Sequence, residues 1–451
     1  MAATSKDLIV SVSGIRGIVG ESLTPEAVCR FATALGTHLR GGRVLISRDG
    51  RPSGEMLKHA AIAGLFAAGC HVEDIGICPT PTVGVAVRRL GAAGAIQITA
   101  SHNPAPWNGL KLFGPDGAVL PAVAGKHVQS LYESGAFVRA KWDHVGHVGV
   151  PPDVQDDHLR LVLDHTSVAS VASMRFRVFF DANGGSGGPL GIRLLSELGC
   201  EIIQHNCDPT GDFVHDPEPT PANLVDVAPW VKQTESAVGF VLDPDADRLA
   251  LIDERGECVS EELTLALAVR YRLREVKGPV VANMSTSRVI QDLAVEAGCP
   301  FSRSAVGEAN VVQQMRNLQA VIGGEGNGGV IDPRIGWVRD PFIGMAMILS
   351  TLADEGRPLS EILASLPQYA MLKTKFAVNP DRLKAVLLEL PGHWPNAIPN
   401  ALDGLRLDGP DWWLHVRPSN TEPVVRVIAE APTAEQAQEL CDRAGALLRL
   451  S

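Results

Sequence analysis

Three stretches of the chain share one local pattern, and that recurrence limits the fold more than any other feature of the sequence. They are RVLISRDGRPSGEMLKHAAIAGLFAAGCHVEDIG, RVFFDANGGSGGPLGIRLLSELGCEIIQHN and GPVVANMSTSRVIQDLAVEAGCPFSRSA. Each reads as a β-branched apolar strand, a polar or glycine-rich turn, an amphipathic helix, a Gly-Cys pair and a second short strand. Gly69, Gly199 and Gly298 stand where a helix end needs a left-handed residue, and the cysteine after each is expected to begin the next buried strand. Strand, helix, strand in that order predicts parallel pairing through a right-handed crossover.

Further along each repeat, another apolar strand runs into an unusual loop: GAIQITASHNP, AVGFVLDPDADR and AVIGGEGNGG. Open parallel sheets bind ligands at the carboxyl ends of their strands, so three related domains would present three equivalent loops with different chemistry. The expected fold class is α/β: three related mixed α/β domains with largely parallel sheets over residues 1–150, 151–255 and 256–368. From 369 to 451 the pattern changes. GLRLDG, DWWLHV and PVVRVIAE read as strands separated by tight turns, with a helix before and after, which predicts a C-terminal α+β domain.

Composition narrows the partners. A net charge of -11 disfavours an extended nucleic-acid or anionic-membrane surface, since both need a broad basic field. The eight cysteines form no CxxC pair, as expected of reduced thiols rather than a disulfide framework or a zinc site. The first residues lack the basic region and long apolar run of a secretion signal, and no apolar run approaches the roughly 20 residues of a membrane span. The expectation is a cytoplasmic protein with a small-molecule partner.

The loops carry the chemistry. Asp243, Asp245 and Asp247 would repel one another by roughly 1 kcal/mol per pair in water and about 4 at a protein surface, so a positive partner is required. A magnesium ion with oxygen ligands meets that need; a solvated acidic turn in which Arg248 pairs with one aspartate is the plainer alternative. A calcium loop running to Glu254 is excluded, because Arg248 stands where that loop needs glycine and the flanks are strands. Gly324, Gly326 and Gly329 satisfy GxGxxG, yet no helix follows, so a dinucleotide site is not indicated. Glu325 and Asn327 are placed to bond hydroxyls, or the segment is simply a tight glycine turn. Arg417, Ser419, Asn420, Thr421 and Arg426 form either a phosphate cradle or an ordinary polar turn. Ser101 sits outside any GxSxG elbow; beside a magnesium ion it would serve phosphoryl transfer, and otherwise it belongs to a turn that leaves His102 on the surface.

In this order, from SGIRGIVG near the start to RPSNTEPVVRV near the end, the loops resemble those of the α-D-phosphohexomutase superfamily. The resemblance implies four domains around a central cleft and a phosphoryl group carried on Ser101. It implies Mg2+ held by Asp243, Asp245 and Asp247 with a phosphoserine oxygen, sugar hydroxyls held by Glu325 and Asn327, and a substrate phosphate gripped by Arg417, Ser419, Asn420, Thr421 and Arg426. Arg16 and Lys111 match positions beside the reacting groups. His102 is either a proton shuttle or a solvent-facing turn residue, and Arg248 either meets substrate or balances the aspartates. The implied reaction interconverts hexose 6- and 1-phosphates through a hexose 1,6-bisphosphate, with a C-terminal domain hinged near residue 370; the expected assembly is a monomer or homodimer. VGEANV, GGEGNGG and NTEPVVRV look most like the archaeal-type phosphoglucosamine mutase branch, where Glu308 or Glu325 would favour an ammonium on the sugar. Glucose and mannose phosphates stay open as substrates, because Gly329 replaces a substrate-contacting histidine of other branches. A sugar-phosphate sensor without turnover and a metal-dependent phosphatase are the competing classes.

Overall fold

A computed structural model describes residues 8–11, 14–151, 153–378, 380–418 and 424–449. Its first sheet has seven strands, in the order Ile9–Ser11, Gly14–Ile18, Trp107–Phe113, Gly94–Ile98, Gly42–Arg48, Cys70–Ile77, Val148–Gly149. The second runs Leu249–Asp253, Val238–Leu242, Arg177–Asp181, Glu201–His205, and the third Gly329–Ile331, Ile322–Glu325, Val280–Asn283, Phe301–Ser304. One plan underlies all three. The opening strand of each repeat pairs in parallel with the strand after its helix and with the strand that ends in the unusual loop. That last strand then turns back into an antiparallel neighbour, so each loop is the tip of a topologically equivalent hairpin.

The helix ends follow from residue chemistry. Gly69, Gly199 and Gly298 have φ of 79°, 71° and 67°, the left-handed conformation that glycine adopts without a Cβ penalty. Cys70 begins its strand as expected, whereas the strands after Cys200 and Cys299 start at Glu201 and Phe301. Gly191 is needed for a different reason: a Cβ there would lie 2.2 Å from the Phe180 ring, so only glycine lets the helix Gly188–Glu197 ride so close to the sheet.

Packing divides the molecule unevenly. One apolar core joins the second and third sheets, running from Phe180 and Leu242 through the helix Pro341–Glu355 to Val280 and Ile322. The first sheet buries its own cluster around Phe31, Ile46 and Ile96. The C-terminal sheet is antiparallel throughout, in the order Ala370–Phe376, Val425–Ala431, Trp413–Pro418, Leu405–Asp408, Ile398–Asn400, and has a separate core under the helices Pro380–His393 and Ala434–Arg449. Three of those strands were expected; Ala370–Phe376 and Ile398–Asn400 add to them. No helix among the described residues is long and apolar enough to cross a membrane.

Candidate active site

The hairpin tips of the three sheets meet. Asp243 accepts the backbone N–H groups of Asp247 and Arg248 on one carboxylate oxygen, both at 3.0 Å, and Ala246 takes a φ of 52°. The chain thereby folds back so that carboxylate oxygens of Asp243, Asp245 and Asp247 lie within 4.8 Å of one another, all fully buried. Ser101, at the tip of the first sheet's hairpin with a φ of 50°, donates its hydroxyl to the other oxygen of Asp243 at 2.9 Å.

Two cations and a hydroxyl complete the cluster. Lys111 Nζ donates to Asp245 at 2.8 Å and Asp247 at 2.7 Å, and the Thr80 hydroxyl donates to Asp245 at 2.7 Å. Arg339 donates one Nη to Asp247 at 2.5 Å and the other to Glu325 at 3.0 Å. Burial pushes the Asp243 carboxyl well above the usual range, reinforced by Asp245 and Asp247. Burial opposes ionisation of Asp247 as well, but Arg339, Lys111 and Arg248 outweigh it and hold that group low. Asp245 and Asp247 likewise overcome burial at Lys111 and keep it protonated. Even so, Asp245 Oδ1 and Asp247 Oδ1 are buried with no hydrogen-bond partner. Two orphaned carboxylate oxygens beside a serine hydroxyl are a donor set suited to a hard cation such as magnesium.

His102 is partly buried. Its side chain is 26% exposed, with Nδ1 3.2 Å from Ser101 Oγ and Nε2 3.8 Å from Glu218. Burial, then Arg248 and Arg16, push its pKa well below the ordinary histidine value, so the ring is neutral at pH 7. Arg248 pairs with Glu218 at 3.1 Å rather than with an aspartate side chain. Arg16 reaches Asn103 at 3.4 Å. The strand register, Gly14 opposite Lys111 and Arg16 opposite Gly109, puts Arg16 and Lys111 on one face of the sheet.

The third loop is held by its own carboxylate. Glu325 accepts from Asn283 at 2.9 Å and the Gly307 N–H at 3.0 Å on one oxygen, and from Arg339 on the other. Glu308 accepts the Arg339 N–H at 2.6 Å, and burial raises its pKa. Asn327 Oδ1 is buried without a partner, an acceptor suited to a hydroxyl. From the C-terminal sheet, Arg417 pairs with Asp403 at 3.2 Å, and Asp403 accepts the Val306 N–H at 3.0 Å, one residue from Gly307. Bonded contacts therefore run from Arg417 to Asp247. Arg417, Arg426 and Lys375 are register partners across three adjacent strands, a row of cations on one face. Ser419, Asn420 and Thr421 lie outside the described residues.

Arg339, Thr80, Glu218 and Lys375 were not singled out by sequence. Arg339 is the instructive omission. It directly precedes Asp340, whose carboxylate caps the helix Pro341–Glu355, and nothing in a lone arginine before a cap announces a partner 92 residues away.

Comparison with known proteins agrees over the whole length. Models of phosphoglucomutase/phosphomannomutase domains I, II, III and the C-terminal domain match residues 7–139, 156–256, 261–369 and 373–446. A probable phosphoglucosamine mutase of Methanopyrus kandleri is 37% identical over 95% of both chains. A phosphoglucomutase/phosphomannomutase of Thermococcus kodakarensis is 37% identical over 94% of this chain and 95% of its own. The crystal structure of a phosphoglucomutase/phosphomannomutase family protein from Burkholderia thailandensis superposes with a TM-score of 0.86 at 27% identity, covering 98% of each chain.

Proposed function

Because the chain belongs to the phosphoglucomutase/phosphomannomutase family of the α-D-phosphohexomutase superfamily, whose members are phosphosugar mutases, we propose that it interconverts glucosamine 6-phosphate and glucosamine 1-phosphate through phospho-Ser101. The observation that carries this reading is the Ser101 hydroxyl 2.9 Å from Asp243, inside a buried acidic triad that keeps two unpartnered oxygens. On the same reading the chain works as four domains, 1–150, 151–255, 256–368 and 369–451.

In the proposed reaction a sugar hydroxyl oxygen attacks the phosphorus on Ser101, the bond from phosphorus to Oγ breaks, and a hexose 1,6-bisphosphate forms. The hydroxyl proton replaces the phosphoryl group on Oγ. Neutral His102, with Nδ1 3.2 Å from Oγ, is placed to relay it. The bisphosphate turns around and the reverse transfer returns its other phosphate to Ser101. Lys111 and Arg16, on one sheet face, supply positive potential to the moving group. Asp243, Asp245 and Asp247 would hold Mg2+, which when bound neutralises charge on the transferring phosphoryl. Asn327 and Glu325 orient the sugar, while Arg417 and Arg426, with Lys375 beside them, hold the phosphate that does not react. Arg248 and Glu308 shape the wall between these sites.

Relatives named as probable phosphoglucosamine mutases support the choice of sugar. A specific observation favours a second reading, glucose or mannose phosphate. Glu325 already accepts three hydrogen bonds and shares Arg339 with Glu308, so neither carboxylate is an uncompensated counter-charge for an ammonium. Parallel assays with glucosamine, glucose and mannose 6-phosphates decide the sugar. Loss of exchange in Ser101→Ala is expected for any of them, and turnover in that variant contradicts the mechanism. Release of inorganic phosphate in place of isomerised product would instead mark a phosphatase.

A further inference from the structure

Beneath the Ser101 turn lies an arginine whose five donors are all committed. Arg51 is 1% exposed and Asp49 fully buried. Arg51 Nε donates to Asp49 at 3.1 Å. Nη1 donates to the carbonyls of Pro104 at 3.0 Å and Trp107 at 3.1 Å, and Nη2 to those of Ser101 and Asn103, both at 2.7 Å. One planar cation thus gathers four carbonyls of a single loop. Asp49 accepts from the Thr99 hydroxyl at 2.7 Å, and Thr99 Oγ1 accepts the Ser101 N–H at 2.8 Å. Both backbone polar groups of Ser101 are therefore tied, directly or through Thr99, to one buried ion pair.

We propose that Arg51, braced by Asp49, is the positioning residue that holds Ser101 in its left-handed backbone conformation and presents its hydroxyl to the metal-binding triad. A non-glycine residue at a φ of 50° is uncommon and needs its surroundings to fix it. Drawing the four carbonyls onto the guanidinium also commits their lone pairs to its N–H donors. Asp49 cancels the charge of Arg51, so the pair shapes the loop without adding a competing phosphate site. The clamp also joins two sheets: Phe213 of the second unit lies 4.8 Å from the guanidinium, and Gly50 packs on Gly184 and Gly211, with no room for a Cβ. The spacing between Ser101 and Asp243 is set across that joint. Lysine cannot replace Arg51, because an ammonium has three donors and no fork.

The proposal rests on Ser101 being the phosphoryl carrier, and the test separates the two. Unaltered protein, Ser101→Ala, Arg51→Lys and Thr99→Val are compared for kcat, KM, thermal unfolding and the rate at which hexose 1,6-bisphosphate phosphorylates Ser101. Positioning predicts a fall in kcat of about 100-fold or more in Arg51→Lys with KM within about threefold, since a misplacement near 1 Å costs that much. Phosphorylation of Ser101 should slow in parallel. A folded Arg51→Lys variant with kcat and phosphorylation rate within about threefold of the unaltered protein overturns the proposal, as does a loss that merely follows the unfolded fraction. Should Arg51→Lys not fold, Thr99→Val decides, because it leaves the ion pair intact: a fall of about tenfold in kcat at unchanged KM supports the clamp, and unchanged kcat overturns it. If no phosphate reaches Ser101 in the unaltered protein and Ser101→Ala still turns over, the carrier assignment fails instead.

Discussion

At the scale of single residues, the site is an exercise in compensating buried charge. Arg339 is shared among Asp247, Glu325 and Glu308, so removing it strands carboxylates that cannot reach water. Arg339→Met is expected to cost about 3–5 kcal/mol, the usual penalty for breaking a buried pair, read as a lower urea midpoint with nearly complete loss of turnover. Adding Glu325→Gln should restore part of the stability and none of the activity; a double variant destabilised by the sum of the two single variants would show that the pair is not coupled. Ser101 and the three aspartates were legible because unusual residue types recur at short spacing beside strands. Arg51, Arg339 and Glu218 were not, since each meets partners far along the chain and local spacing carries no trace of them.

At the scale of elements, the hairpin tip is the unit that matters. Strand, helix, strand, loop was readable three times over from apolar runs and the glycines that end the helices, and so was the end of the sheet where the loops would lie. The antiparallel strand Trp107–Phe113 was less visible because it shares its residues with the loop. Ile398–Asn400 is short and contains a proline, and Ala370–Phe376 carries lysines that dilute the apolar pattern. That last strand brings Lys375 into the cation row, so missing the strand meant missing the residue. The joint between the C-terminal sheet and the third sheet contains His415, fully buried, which donates Nε2–H to the Asp403 carbonyl at 2.7 Å and accepts from Ser285 on Nδ1 at 3.0 Å. Burial brings its pKa down to about 4. A histidine depressed in the folded state binds its proton more readily once unfolded, so its stabilisation is present above about pH 6.5 and is lost as pH falls toward 4. The loss is on the order of 3 kcal/mol. His415→Gln should flatten stability between those pH values in a urea titration; an unchanged slope would show that another group governs the acid response.

At the scale of the whole molecule, the cores explain which parts move together. The second and third sheets share one core through the helix Pro341–Glu355, while the C-terminal sheet has its own and meets the third largely through polar pairs. Rotation of that unit about residue 370 is the expected motion, since it must admit a sugar phosphate in two orientations. Hydrogen exchange with and without hexose 1,6-bisphosphate should show protection gained at the contacts of Ser285, Val306 and Asp403, and uniform protection across the chain would argue against a hinge. Removing divalent ions with a chelator should abolish turnover and leave the fold intact, because Lys111 and Arg339 already balance Asp245 and Asp247. Unfolding on chelation would mean the ion is structural. The four-part plan and the order of the chemistry-bearing loops could be read along the chain. The preferred sugar could not, because on the proposed reading it turns on how far Arg339 neutralises Glu308 and Glu325, three residues that meet only in the fold.

The most direct measurement is to locate phosphate on the protein. After incubation with hexose 1,6-bisphosphate and Mg2+, peptide mass spectrometry should find a single phosphoryl group on Ser101, lost when excess hexose monophosphate is added and recovered in the sugar. Phosphate on another residue, or full turnover with Ser101 never modified, would contradict the role assigned to the serine beside Asp243.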